Sequence, residues 1–388
     1  METIEEYPLA LSSWGSEEID AIQSVIRRDQ YSMGDSVRQF ECDFARKFGS
    51  KYAVMVNSGS SANLLAINAL MYKKNNPLKV GDEIIVPSLS WSTTYYPVHQ
   101  CGMKLVFVDI NKHSLNLDIT QLEQAISEKT KAIFVPNILG NPADLTALLT
   151  FCKKHALYLI EDNCESMGAT LNNQSTGTFG ICGTFSTFFS HHISTMEGGV
   201  VVTDDEELYQ ILICMRAHGW TRHLPQNNLL CQKNDDDFYE SYRFILPGYN
   251  VRPIEMMGAI GIEQLKKLDD FIAVRRINAE YFMDLFSNDD RFILQTENGK
   301  SAWFGFSLLI NNNAITRSEI IKKCRHAKVD IRPIVSGNFL KNDVIHLLNH
   351  RIVGDHHNAQ FIHDHGLFVG NHHINMRSHL KYLQKILA

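Results

Sequence analysis

No apolar stretch in this chain approaches the roughly 20 residues that a membrane-spanning helix needs, so no bilayer partner is expected. Basic runs are missing as well. The 37 Lys and Arg are outnumbered by 43 Asp and Glu, a net charge of −6 with no Lys/Arg-rich segment, which argues against a nucleic-acid or anionic-membrane binder. The eight cysteines, at 42, 101, 152, 164, 182, 214, 231 and 324, include no C-x-x-C pair and no zinc-like spacing. Reduced, mostly buried thiols are expected, with no metal. The start, Met1-Glu2-Thr3-Ile4-Glu5-Glu6, is acidic where a secretory signal would be basic, so a cytoplasmic protein is expected. Internal repeats are absent.

Histidine, by contrast, is abundant, with 17 copies. His346 and His350 sit four apart on an expected helix, a spacing that can chelate metal, but Leu347-Leu348-Asn349 lacks the glutamate of a zinc-protease helix. They read as a solvated helix face, and His356-His357, His363, His365 and His372-His373 read the same way.

With 388 residues, 44% of them hydrophobic and 21% charged, the chain can bury a full core and should fold as two domains. Short β-rich runs alternate with helical segments: Tyr52–Val56, 83–86, Lys104–Val108, 132–135, 158–161, 184–189 and 200–203. That rhythm predicts an α/β domain with a mostly parallel sheet. Continuous apolar runs such as Ile84-Ile85-Val86 suit strands covered on both faces. Residues 219–246 are polar and weakly periodic, long enough for a functional loop or interface arm. After Pro253, Met256, Met257, Ile260, Ile262, Leu265, Leu268 and Phe271 mark a long helix. Weaker signals come after it: a strand at 302–309, a helix at about 316–327, a strand near 329–334, a closing helix after Ser378, and a simple turn at Asn311-Asn312-Asn313.

Three segments carry chemistry. Val54-Met55-Val56-Asn57-Ser58-Gly59-Ser60-Ser61-Ala62-Asn63 runs from a strand through a Gly/Ser turn into a helix, which presents free N–H groups to an anion such as phosphate. An ordinary N-cap fits that turn equally well. Leu159-Ile160-Glu161-Asp162 ends a strand expected near the sheet centre with a carboxylate, where open α/β sheets bind ligands. Asp162 there is either a helix N-cap or an acid that keeps a pyridine nitrogen protonated, as pyridoxal chemistry requires. Trp91 could stack on such a ring, although burial in the core is the commoner fate of an aromatic.

Together with Phe185-Ser186-Thr187-Phe188-Phe189-Ser190-His191-His192-Ile193-Ser194-Thr195-Met196-Glu197-Gly198-Gly199, and with Gly248-Tyr249-Asn250-Val251-Arg252-Pro253, these segments resemble the DegT-type sugar aminotransferase family of vitamin B6 enzymes over nearly the whole chain. The resemblance implies the fold-type-I B6-enzyme architecture of aspartate aminotransferase. Residues 1–274 would form a large cofactor-binding domain with an N-terminal arm, and 275–388 a smaller C-terminal α/β domain. In that family a lysine six residues before the glutamate of the Glu-Gly-Gly turn holds the cofactor as a Schiff base. Here that position is His191, and no lysine occurs between Lys154 and Lys233.

The same replacement marks the family's small 3-dehydratase branch. An imidazole forms no stable imine, so the cofactor is expected to sit non-covalently as pyridoxamine 5′-phosphate, turning into pyridoxal 5′-phosphate in the reaction, with glutamate as amino donor. With a pKa near about 6.5, His191 can take a proton from the cofactor and return it to a leaving hydroxyl. Carried over residue by residue, the resemblance implies Asp162 on the pyridine nitrogen, Trp91 over the ring and Glu165 near its 3-hydroxyl. Gly59, Ser60 and Ser186 would hold the phosphate, with Asn250 reaching in from a second subunit of a homodimer with shared active sites. His218 and Arg252 are candidates to meet a GDP-linked sugar substrate. His192 is expected to face away, since neighbours alternate in an extended segment. Two rivals remain. The CDP-sugar 3-dehydratase type carries an iron–sulfur cluster, which these scattered cysteines disfavour; a non-catalytic sugar-nucleotide sensor on the same fold is the other.

Overall fold

The computed structural model describes residues 6–311 and 315–388. The start Met1–Glu5, and Asn312 and Asn313 of the expected turn, lie outside them.

An eight-stranded sheet dominates. Its strands are β1 (Tyr52–Val56), β2 (Glu83–Pro87), β3 (Lys104–Val108), β4 (Thr130–Pro136), β5 (Tyr158–Asp162), β6 (Cys182–Ser186), β7 (Gly199–Thr203) and β8 (His350–Ile352), in spatial order β1-β7-β6-β5-β4-β2-β3-β8. Every neighbouring pair is parallel except the two made by β7, which runs antiparallel to β1 and β6. β2, β6 and β7 are buried along their whole length. Apolar side chains therefore occupy both faces, as the continuous runs Ile84-Ile85-Val86 and Val200-Val201-Val202 require. The expected strand at 184–189 stops at Ser186, and beyond it the chain runs through a series of turns and bends.

A second, antiparallel sheet contains Phe292–Ile293, Gly305–Ile310, Gly366–Gly370 and Ile331–Arg332, in that spatial order. The 32-residue helix Glu255–Phe286 leads to it. Phe282 of that helix stacks on Phe306 with centroids 4.4 Å apart and planes at 9°. The helix Arg317–His326 starts on a capping box in which Thr316 accepts from Glu319 N–H, and the helix Arg377–Leu387 closes the chain. Residues 219–246 hold a 3₁₀ turn at Thr221–His223, a short helix at Asp237–Glu240 and an isolated antiparallel bridge between Trp220 and Phe244.

Two readings of the histidines need correction. His346 lies in a 3₁₀ turn and His350 opens β8, so no single helix carries both. The spacing alone suggested a helix; pairing of β8 with β3 decides the backbone there. His356 and His372 are not solvated but 4% and 2% exposed. No group of His, Cys, Asp and Glu fit to hold a metal occurs among the described residues, and no helix there is long and apolar enough to cross a membrane.

His372 donates from Nε2 to the Pro8 carbonyl at 2.9 Å and ties the N-terminal segment down. Burial pushes its pKa down to about 4. The unfolded chain then takes up the proton first. The loss of stability begins near the unfolded value of about 6.5, grows as pH falls, and is complete below about 4, with an upper bound of about 3 kcal/mol. His372→Gln keeps an N–H donor but cannot titrate. Its melting temperature should match the parent at pH 7.5 and fall less steeply toward pH 5; identical pH slopes would refute the assignment.

Candidate active site

The cavity of about 370 Å³ at the carboxyl ends of β4 and β5 is where the Gly/Ser turn, the Trp91 segment and the His191 segment meet. Ser58 caps the 12-residue helix Gly59–Leu70 by accepting from Ser61 N–H, and Ser58, Gly59 and Ser60 line the cavity. The N-cap and the anion readings of this turn are thus compatible: the cap uses one N–H and leaves the first turn facing the cavity. A Cβ on Gly59 would lie 2.6 Å from the Ser186 Cβ. Only glycine lets main chain and Ser186 close around one small anion.

Asp162, 7% exposed, ends β5. Its Oδ2 accepts from Asn63 Nδ2 at 2.8 Å and Thr94 Oγ1 at 2.7 Å, and its Oδ1 from Cys164 N–H at 3.2 Å. Neighbouring Glu161 faces the other way, accepting N–H bonds from Gly177, Phe179 and Gly180. Burial pushes its pKa up to about 7. Of the two adjacent carboxylates, one organises a loop and the other lines the cavity. Glu165 also lines it, accepting from Leu139 N–H at 2.9 Å, and burial, with the nearby Asp162 charge, pushes its pKa up to about 7. Trp91 lines the cavity while 56% exposed, free to meet a ligand with its face.

His191 lines the cavity, and no lysine does so among the described residues. Its Nδ1 lies 2.9 Å from the Cys164 carbonyl oxygen. A carbonyl only accepts, so Nδ1 carries the hydrogen and Nε2 keeps its lone pair. Burial pushes the pKa down to about 4, against smaller opposing effects of that hydrogen bond and of Asp162. The imidazole is therefore neutral at physiological pH, well below the value assumed for an exposed ring. His192 does face elsewhere: it is 1% exposed and its Nε2 donates to the Ala302 carbonyl at 3.2 Å. The cause is a turn, not the alternation of an extended strand.

Gly59, Ser60, Trp91, Asp162, Glu165, Ser186 and His191 thus share one cavity, whereas Asn250, His218 and Arg252 do not line it. Asn250 and His218 are exposed, and Arg252 Nε donates to Asn250 Oδ1 at 3.0 Å. The Val251 carbonyl accepts from Asn57 N–H at 3.0 Å, which sets this exposed edge beside the phosphate-type turn. Sequence reading missed Asn63 and Thr94, which hold Asp162. A buried asparagine within a helix is a weak signal, since helix polar residues are usually surface residues. It also missed Arg332, the cationic side chain among the lining residues, which sits on a two-residue strand with no local pattern to flag it.

The site fits a pyridoxal-type cofactor: a glycine-dependent anion cradle, a donor-held carboxylate and an available indole face border one cavity. Comparison with known proteins agrees. The model of the DegT/DnrJ/EryC1/StrS aminotransferase family matches residues 12–378. The GDP-4-keto-6-deoxy-D-mannose 3-dehydratase of Yersinia pseudotuberculosis is 55% identical over 384 residues, 98% of either chain. A crystal structure of GDP-4-keto-6-deoxymannose-3-dehydratase with a trapped PLP-glutamate geminal diamine is similar at a TM-score of 0.97 and 53% identity, covering 99% of this chain and 100% of that one. A substituted form of that dehydratase with bound GDP-perosamine has the same TM-score, 0.97, at 53% identity, covering 99% and 100% of the two chains. The chain belongs to the DegT/DnrJ/EryC1/StrS aminotransferase family.

Proposed function

We propose that this protein is a pyridoxamine-phosphate-dependent 3-dehydratase that removes the C3 hydroxyl of GDP-4-keto-6-deoxy-D-mannose. The product is GDP-4-keto-3,6-dideoxy-D-mannose, with release of ammonia and re-amination of the cofactor by glutamate. The observation that carries this reading is a histidine, His191, where the family's aminotransferases carry lysine, in one cavity with Asp162. The 55% identity to a dehydratase of that name supports the substrate.

When bound, the cofactor supplies an amine that condenses with the 4-keto carbon and a pyridine ring that takes up the electrons released at its C4′ carbon. Asp162 keeps the pyridine nitrogen protonated, and its three donors prevent it from turning away. Gly59, Ser60 and Ser186 hold the phosphate, Trp91 covers the ring and Glu165 stands by its 3-hydroxyl. His191 Nε2 accepts the proton from C4′. Burial disfavours the resulting imidazolium, which drives the proton on to the departing C3 hydroxyl. One residue serves as base and then acid.

In this reading residues 1–274 form the cofactor-binding domain and 275–388 the smaller domain, which lends β8 to the edge of the large sheet. The protein works as a cytoplasmic homodimer in which Asn250 completes the partner's phosphate site, and His218 and Arg252 meet the sugar nucleotide. That Asn250 is exposed and does not line the cavity of its own chain supports a role across an interface. The product belongs to colitose and O-antigen synthesis.

The direct test is incubation with pyridoxal phosphate, glutamate and GDP-4-keto-6-deoxymannose, followed by mass analysis for loss of the C3 oxygen and for ammonia. In that assay His191→Asn should lose about 10²- to 10⁴-fold in turnover while pyridoxamine phosphate still binds; full activity would end the assignment. Asp162→Asn should fold normally, bind the cofactor more weakly and lose most turnover, because the amide cannot hold a proton on the ring nitrogen. Wild-type kinetics in that variant would remove Asp162 from its role.

A further inference from the structure

Residues 301–304 run as an irregular strap behind the His191 turn, just ahead of the strand Gly305–Ile310. Ala302 N–H donates to the Gly140 carbonyl at 2.9 Å and Phe304 N–H to that of Leu139 at 3.0 Å. This approach needs a glycine, since a Cβ on Gly140 would lie 2.6 Å from Trp303 N. Trp303 has φ +46°, a strained value for a residue with a side chain. Such strain persists only where the surroundings fix the backbone. Here they do: the Trp303 N–H donates to Ser301 Oγ at 3.0 Å, and its carbonyl accepts from Asn371 Nδ2 at 2.9 Å.

Arg275 holds the far end of the strap. It is 4% exposed, and among the described residues no carboxylate offsets its burial. Its Nη1 donates to the Asn371 carbonyl and, at 3.3 Å, to that of Phe304, and its buried Nε has no partner. A guanidinium buried against main-chain carbonyls alone is costly. The hydrogen bonds of its Nη1 go to the strap and to the Asn371 that braces it. His192 adds the hydrogen bond to Ala302.

All this rigidity ends at one ring. The centroid of Phe304 lies 5.3 Å from that of His191 with planes at 75°, an edge-to-face contact, and Phe188 faces the imidazole at 6.1 Å and 88°. The hydrogen bond of Nδ1 to the Cys164 carbonyl sets one orientation of the His191 ring, but the torsion that turns the ring is broad. A half-turn would take Nδ1–H off the carbonyl and Nε2 away from its place.

We infer that Phe304 is a positioning residue for His191: held by the Arg275-anchored strap, its ring fixes the imidazole plane so that Nδ1–H stays on the Cys164 carbonyl and Nε2 remains available for proton transfer. This rests on His191 being the proton-transfer group of the proposed dehydratase. It gives the histidine pair a division of labour, in which His191 moves the proton and His192 fastens the strap that orients it.

The test uses the full-length protein. Phe304→Leu keeps an apolar group but removes the flat edge; it should lower kcat by about 10- to 100-fold, with KM for the GDP-sugar and the affinity for pyridoxamine phosphate unchanged. Phe304→Tyr, which keeps the ring, should restore most of kcat. Added to His191→Asn, Phe304→Leu should cost nothing further, since the residue it positions is gone. A crystal structure of Phe304→Leu without substrate should show the His191 ring turned off the Cys164 carbonyl. A raised KM with normal kcat would make Phe304 a substrate wall and overturn the proposal, as would an unmoved imidazole. If the unsubstituted protein failed to dehydrate the sugar, the functional reading would fall, while the crystal structure would still decide whether Phe304 orients His191.

Discussion

Everything in the site is arranged around one buried carboxylate. Asp162 at the carboxyl end of β5 is shielded from water, and an acid so placed must be met by donors. Those it has come from three places: Asn63 in the helix after β1, Thr94 in the helix after β2, and the Cys164 main chain. Asn63 belongs to the helix whose first turn forms the anion cradle, and Thr94 to the helix that Trp91 caps. Satisfying Asp162 therefore sets the distance between cradle, carboxylate and indole, the three contacts a phosphorylated pyridine needs. The network continues, because Thr184 of β6 donates to Asn63 Oδ1 at 2.5 Å. β6 in turn delivers Ser186 and the turn that carries His191.

Burial sets the proton chemistry of that turn. A histidine near its ordinary pKa would be partly protonated at neutral pH, and that fraction could not accept a proton. Here desolvation keeps His191 neutral, and the Cys164 carbonyl selects the tautomer with Nε2 free. The cost is a weaker base. The gain is a stronger acid, because an imidazolium that burial disfavours gives its proton up readily. In the proposed reading, a reaction that takes a proton from carbon and delivers it to a departing hydroxyl suits a carrier that holds it briefly.

Much of this is legible in the sequence. Seven of the eight strands of the large sheet announce themselves as short β-rich runs, and His191 stands out because it occupies a lysine position in a motif otherwise intact. Other features depend on tertiary context. The direction of β7 is invisible locally, since Val200-Val201-Val202 reads the same parallel or antiparallel. His346 and His350 have helical spacing, yet pairing with β3 makes a strand of the second. His372 looks like one more surface histidine, yet it is buried and bonded to the Pro8 carbonyl. Asn63, Thr94 and Phe304 are ordinary residues in ordinary segments; their roles exist only once strands far apart in the chain bring them to the same few ångströms.

The missing lysine changes what holds the cofactor. In the proposed reading no covalent bond returns to the protein at the end of a turnover, so retention rests on non-covalent contacts. Those are the cradle at Gly59 and Ser60, the charge of Asp162, the face of Trp91 and, across the dimer interface, Asn250. Such contacts do not distinguish the amine from the aldehyde form at the carbon where they differ. The group beside that carbon, His191, can exchange a proton but cannot bond to it. The aldehyde is thus left open to an external amine. That is the condition under which glutamate can restore the amine without first displacing a side chain, and a lysine in place of His191 would compete with it for the same carbon.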